Sequence, residues 1–132
     1  MADEINISLN VDVSSGNFRT SFRPGSISPD MTYVVSSVIV QNLTTTITNL
    51  SVSPNVVAGG YYWFQNLSTS TSVTFDPSIK VNSCASTSPG TASPFLNLRP
   101  GEYALGRCVT TAFSALVVGT ATTELQFGLL SI

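Results

Sequence analysis

The run TYVVSSVIVQNLTTTITNLSV, from Thr32 to Val52, constrains the fold more than any other part of this chain. Val, Ile and Thr crowd it. Side chains branched at Cβ lose rotamer freedom against the preceding turn of a helix but fit the pleated surface of a sheet. The run predicts two strands, about Tyr33 to Gln41 and Thr45 to Val52, with the polar break at Asn42 to Thr44 as the turn between them. A second pattern precedes it. Ile5, Ile7, Leu9, Val11 and Val13 alternate with Asn6, Ser8, Asn10 and Asp12, the period of a half-buried strand. Ser14 to Asn17 supplies turn residues, and Phe18 and Phe22 resume an extended segment, so a hairpin is expected there. Arg23 to Pro29, RPGSISP, reads as an irregular connection.

The same logic carries through the rest of the chain. Gly59-Gly60 permits a sharp entry into the strand YYWFQNL, where Tyr61, Trp63, Gln65 and Leu67 share one face and Tyr62, Phe64 and Asn66 the other. Aromatics on both faces predict a strand covered on both sides. Trp63 is the expected core ring, while Tyr62 and Phe64 are the expected intersubunit contacts, together with Ile5, Ile7 and Leu9 of the first strand. Leu67 to Thr71 turns the chain and Ser72 to Asp76 returns it. Pro77 to Pro94, rich in Ser, Pro, Asn and Gly, is expected to be a long loop. Phe95 to Leu98, a β-turn at Arg99 to Glu102, and strands near Tyr103 to Cys108, Phe113 to Gly119 and Thr122 to Leu130 follow. No stretch has helical periodicity. Many short strands at regular spacing point to an all-β, single-domain antiparallel β-sandwich over residues 1–132, jelly-roll-like, with residues 1–13 a strand or an arm.

Composition narrows the function. Only 9% of the 132 residues are charged, against about 25% in an average soluble protein, so Ser, Thr, Asn and Gln must cover much of the surface. The five basic residues, Arg19, Arg23, Lys80, Arg99 and Arg107, are scattered, which gives phosphate-driven nucleic-acid binding little support. With no histidine the chain lacks the usual general base and the commonest metal ligand. The acids adjoin turns or lie on a polar strand face and form neither a carboxylate pair nor a calcium loop, so no catalytic residue, cofactor or metal is expected. No segment reaches the ~20 apolar residues of a membrane span, and MADEINISLN does not read as a signal peptide, so assembly in the cytoplasm of the producing cell is expected. Cys84 and Cys108 are expected to be free thiols, with a single bridge between them as the alternative. The sequons at Asn42, Asn49 and Asn66 read as chance products of a Ser- and Thr-rich chain.

The segment PFLNLRPGEYALGR, with its apolar strand, its turn at Leu98 to Glu102 and its return strand, resembles small structural proteins encoded by tailed bacteriophages. The closing strands ALVVGTATTELQFGLLSI and the aromatic strand fit the same likeness. The resemblance implies a virion component without enzymatic activity, first a head decoration or cement protein that binds itself and the major capsid protein or another virion protein. A trimer is implied by the three-fold positions that decoration proteins commonly occupy. A tail or fibre-base protein is the alternative. A carbohydrate-binding module, with the Tyr61 to Phe64 strand and the Pro77 to Pro94 loop lining a groove, is a further one.

Overall fold

The computed structural model describes residues 6–27, 36–54, 56, 60–69, 77–83, 94–108, 112–119 and 122–131. They are all-β, with antiparallel sheets and no helix. The chain divides into two compact units, Met1–Tyr33 and Val34–Ile132. Each unit is described by itself.

In the N-terminal unit the expected strand is broken at Leu9-Asn10. Strand β1 (Ile7–Ser8) pairs with β4 (Ser26–Ile27), and β2 (Val11–Ser15) with β3 (Phe18–Phe22). The β2-β3 hairpin turns at Gly16-Asn17, with Gly16 at φ 57°, a conformation in which a Cβ costs roughly 1–2 kcal/mol. The expected hairpin is present. The irregular RPGSISP stretch contributes β4 as well.

The second unit holds two four-stranded antiparallel sheets. Their strands are β5 (Ser36–Leu43), β6 (Thr48–Asn49), β7 (Gly60–Asn66), β8 (Ser78–Asn82), β9 (Pro94–Leu98), β10 (Tyr103–Arg107), β11 (Ser114–Val118) and β12 (Thr123–Ser131). One sheet has the order β10-β7-β12-β5 and the other β6-β11-β8-β9. Except for the step from β8 to β9, consecutive strands lie in different sheets. The turn Arg99 to Glu102 forms as its sequence dictates. Pro100 presets the second position, Gly101 takes φ 80° at the third, the Glu102 N–H donates to the Arg99 carbonyl at 3.0 Å, and the Arg99 N–H donates to Glu102 Oε2 at 2.8 Å.

Period-two alternation builds the core. Leu43, Phe64, Leu125, Phe127 and Leu129 come from the first sheet and Ile79, Val81, Leu98, Ala115 and Val117 from the second. Five rings cluster from its centre, at Phe64 and Phe127, out to Phe95 at the exposed rim. Phe64 sits 5.4 Å from Phe113, 5.3 Å from Tyr62, 6.2 Å from Phe127 and 6.4 Å from Phe95, centroid to centroid, the spacing at which aromatic pairs add about 0.5–1.5 kcal/mol beyond their burial. Phe95 reaches this group because the pairing of β8 and β9 shifts register there: Val81 opposes Leu96 while Asn82 opposes Pro94, leaving Phe95 as the extra residue of a bulge.

Three sequence expectations are corrected. Phe64, expected at an intersubunit face, is 1% exposed in the core, and Trp63, expected in the core, is half-buried on the other face of β7. Parity separated the two faces but could not say which points inward. Asn66, on the inward face with Phe64, is wholly buried and satisfied: its Nδ2 donates to the Pro77 and Leu98 carbonyls at 2.9 and 3.0 Å, and its Oδ1 accepts from the Ser68 N–H at 3.0 Å. Finally, the stretch expected to be a loop from Pro77 contains β8, a buried strand that pairs with both β9 and β11. Its flanking Ser78 and Asn82 are buried polar residues, and Asn82 Nδ2 donates to Ser114 Oγ at 3.3 Å. The expected return strand Ser72 to Asp76 lies outside the described residues.

Exchange of Phe64 and Trp63 between core and surface has a measurable consequence. Phe64→Ala should cost about 3–5 kcal/mol, the range for emptying a large aromatic site. Trp63→Ala should cost about 0.5–3 kcal/mol and clearly less than Phe64→Ala, as for a side chain that keeps one side on solvent. Urea unfolding of the two variants against the parent chain measures both.

Candidate functional site

The outer face of the β10-β7-β12-β5 sheet carries much of the exposed apolar area of the second unit. Register fixes who stands beside whom. One row across the sheet runs Leu105, Trp63, Gly128, Val38, and the next runs Tyr103, Gln65, Gln126, Val40. Tyr103 is 74% exposed, Val38 54%, Val40 49% and Leu105 48%. Tyr61, Trp63 and Leu130 add half-buried apolar area to the same face. Among the described residues its charges are Arg107 and Glu124, set toward opposite ends of the strands. The apolar side chains flank Gln65 and Gln126 in the middle of the face, and large exposed apolar area of this kind is typical of interaction surfaces.

Two glycines make room for rings on this sheet, one on each face. Gly128 stands directly across from Trp63, and a Cβ on it would fall within the indole, so the ring lies against the bare backbone of β12. On the inner face Gly106 stands across from Tyr62 and leaves room for its phenol in the same way. Each aromatic covers main chain that a side chain would otherwise have shielded. Neither glycine has a positive φ; close approach of a ring is what each position requires.

Tyr62, an expected intersubunit contact, is half-buried at the edge of the ring cluster, 5.9 Å from Phe95 and 6.2 Å from Phe113. Ile7 is half-buried in β1 and Leu9 is exposed, both in the N-terminal unit; Ile5 lies outside the described residues. Of the expected residues, Tyr62 and Phe64 belong to the second unit and Ile7 and Leu9 to the N-terminal one. The structure brings Val38, Val40, Tyr103 and Leu105 to the outer face, residues that sequence reasoning missed. Their signal was strand parity combined with pairing to Trp63, and pairing is not legible in a single sequence.

The N-terminal hairpin has its own unpartnered face. Pairing of Val11 with Phe22 and of Ser15 with Phe18 places Val11, Val13, Phe18 and Phe22 on one side, all exposed. The other side is polar and carries the Arg23–Asp12 ion pair at 3.3 Å, both members well exposed. Such a pair contributes about 0–1 kcal/mol, and an isolated hairpin is marginal in water.

Asn66 of the third sequon is wholly buried, while Asn42 and Asn49 are exposed. Cys108 is a half-buried free thiol, and Cys84 lies outside the described residues. Among the described residues no three of His, Cys, Asp and Glu gather as a metal site. A shallow cleft of about 400 Å³ opens between Leu50, Val52, Val56 and Phe113 and has no charged lining among the described residues. No known family and no curated protein matches this chain.

Burial, and secondarily the neighbouring Cys108, holds the Tyr62 hydroxyl above its ordinary pKa of 10.0. Below pH 10 the phenol is neutral in both folded and unfolded chains and its contribution is complete. As pH rises through the raised folded value the unfolded chain ionises first, and stability falls. Tyr62→Phe should remove this part of the alkaline decline while leaving neutral-pH stability little changed. Urea midpoints between pH 8 and pH 11 measure it, with about 1.4 kcal/mol for each tenfold difference in proton affinity between the folded and unfolded chains.

Proposed function

We propose that this protein is a non-enzymatic structural component of a bacteriophage particle, a capsid decoration or cement protein that joins copies of itself to the shell. The observation that carries the reading is the exposed apolar outer face of the β10-β7-β12-β5 sheet. A decoration protein works by spanning joints between shell subunits, where many copies of a modest contact add up, and it needs adhesive surfaces rather than a reactive centre. The outer sheet face supplies one such surface and the apolar side of the N-terminal hairpin another. The hairpin suits the role of a fastening arm, since an extended segment adds to a neighbour with little demand on the rest of the fold. The strand order, with β5 beside β12 in one sheet and β6 beside β11 in the other, supports a jelly roll of eight strands, an architecture that viral capsid proteins share with lectins and cupins. The likeness of PFLNLRPGEYALGR to small phage structural proteins points the same way. The partners are a virion protein and a second copy of the chain, with neither nucleic acid nor membrane, and the place of action is the virion.

One observation favours a second reading. An indole laid against a glycine on an open sheet, with Tyr61 and Tyr103 on the same face, is also the geometry of a sugar-stacking platform. Of the other half of the expected groove, β8 lies in the opposite sheet and residues 84–93 lie outside the described residues.

Leu105→Glu combined with Tyr103→Lys alters exposed positions and should leave the melting curve unchanged within about 0.5 kcal/mol. On particles lacking the native protein, the double variant should bind at less than a tenth of the parent's copy number, measured by quantitative gel densitometry. Equal occupancy would exclude this face from attachment. Loss of glycan binding in the same variant, with particle occupancy intact, would favour the sugar-binding reading.

A further inference from the structure

The apolar face ends at a strand edge, and the edge identifies what sits beside it. Among the described residues, β5 pairs with β12 on one side and makes no main-chain hydrogen bond on the other. In antiparallel pairing every second residue of such an edge strand aims both its N–H and its C=O outward, and natural sheets blunt edges of this kind. Three of the four sheet edges here are blunted: β6 is two residues long, β9 begins at Pro94 and carries the bulge at Phe95, and β10 is five residues ending at Arg107. By contrast β5, SSVIVQNL, is eight residues with no proline, no charge and no break in its pairing to β12.

We propose that β5 pairs antiparallel with β5 of a second copy across a two-fold axis at Ile39, turning two four-stranded sheets into one sheet of eight. This deepens the assembly reading and rests on it. Symmetry and side-chain parity select the register. A two-fold perpendicular to the sheet keeps the outer faces of both copies on one side, so directly opposed residues must share parity. Centring on Ile39 sets Val38 of each copy opposite Val40 of the other. Two β-branched pairs then bridge the joint on the outer face, and Ile39 meets Ile39 on the inner one. The exposed faces become continuous: Val38 and Val40, each about half exposed in one copy, come to lie in the middle of an apolar surface that runs on through Trp63 and Leu105. The neutral strand meets no like charge when it faces itself. The Gln41 side chain is spent at the rim of the sandwich, on β6 and the segment after it: Nε2 donates to the Asn49 carbonyl and Oε1 accepts from the Ser51 N–H, each at 3.0 Å. The occupant of this edge is therefore a second copy of the same strand.

The test uses the full chain and two double variants at exposed positions, with circular dichroism as the control for folding. Light scattering from micromolar to millimolar concentration should find the parent chain dimerising. Val38→Lys with Val40→Lys puts like charges in both cross-pairs and should weaken the dimer at least tenfold. Val38→Lys with Val40→Glu puts opposite charges in the same two pairs and should restore it. A parent chain that stays monomeric throughout the range overturns the proposal, and so does a closed trimer, which requires a head-to-tail joint such as β5 on β10. Equal behaviour of the two charge variants overturns the register. None of these outcomes bears on occupancy of the particle, so failure of this joint and failure of the virion reading remain separate results.

Discussion

The ring of Phe64 wedged between the two sheets is the contact on which the rest of the second unit depends. It touches Tyr62, Phe95, Phe113 and Phe127, residues of β7, β9, the lead-in to β11, and β12, so a single side chain ties three strands and a connecting segment into one packed layer. Once Phe64 points inward, the two-residue period of β7 forces Trp63 outward, and Gly128 opposite it gives the indole a place to lie. Core and surface are in this sense one decision. The same strand that anchors the sandwich also places an aromatic ring in the middle of its open face.

Buried polar groups finish the core where the rings stop. Asn66, at the end of β7, bonds the carbonyls of Pro77 and Leu98 and the N–H of Ser68, which ties both sheets to the segment after β7. Left unpaired, such groups would each cost about 1–3 kcal/mol. The Arg99 to Glu102 turn is joined to the same point, since the Asn66 N–H donates to the Glu102 carbonyl and the Gly101 N–H to the Asn66 carbonyl, at 2.9 and 3.0 Å. This is why so polar a residue is at home in the interior of a chain with few charges.

Strand class, the RPGE turn, the N-terminal hairpin and the closing strands were all legible because each rests on local chemistry: branching at Cβ, alternation, or a glycine at positive φ. What was not legible depended on pairing. Phe64 and Trp63 differ in no local respect that says which faces the other sheet. Strand β8 was hidden because two of its five residues, Ser78 and Asn82, are polar and buried, so it read as loop. The outer face was hidden for a related reason. Val38, Val40, Leu105 and Tyr103 are far apart in sequence, and only the register of β5, β12, β7 and β10 sets them on the same face.

A surface of few charges, a sheet with one apolar face exposed and an unblunted edge strand beside it all describe a protein whose free state leaves area to be covered. The central claim is that the working assembly covers the outer face around Trp63, and Trp63 is the only tryptophan in the chain. Its shielding can be followed directly with 5-fluorotryptophan and fluorine NMR, using the solvent isotope shift of the one resonance in the free protein and after addition of particles that lack it. The account predicts a sizeable shift in the free protein that is largely lost on binding. An unchanged isotope shift in protein that demonstrably sediments with the particles would contradict it.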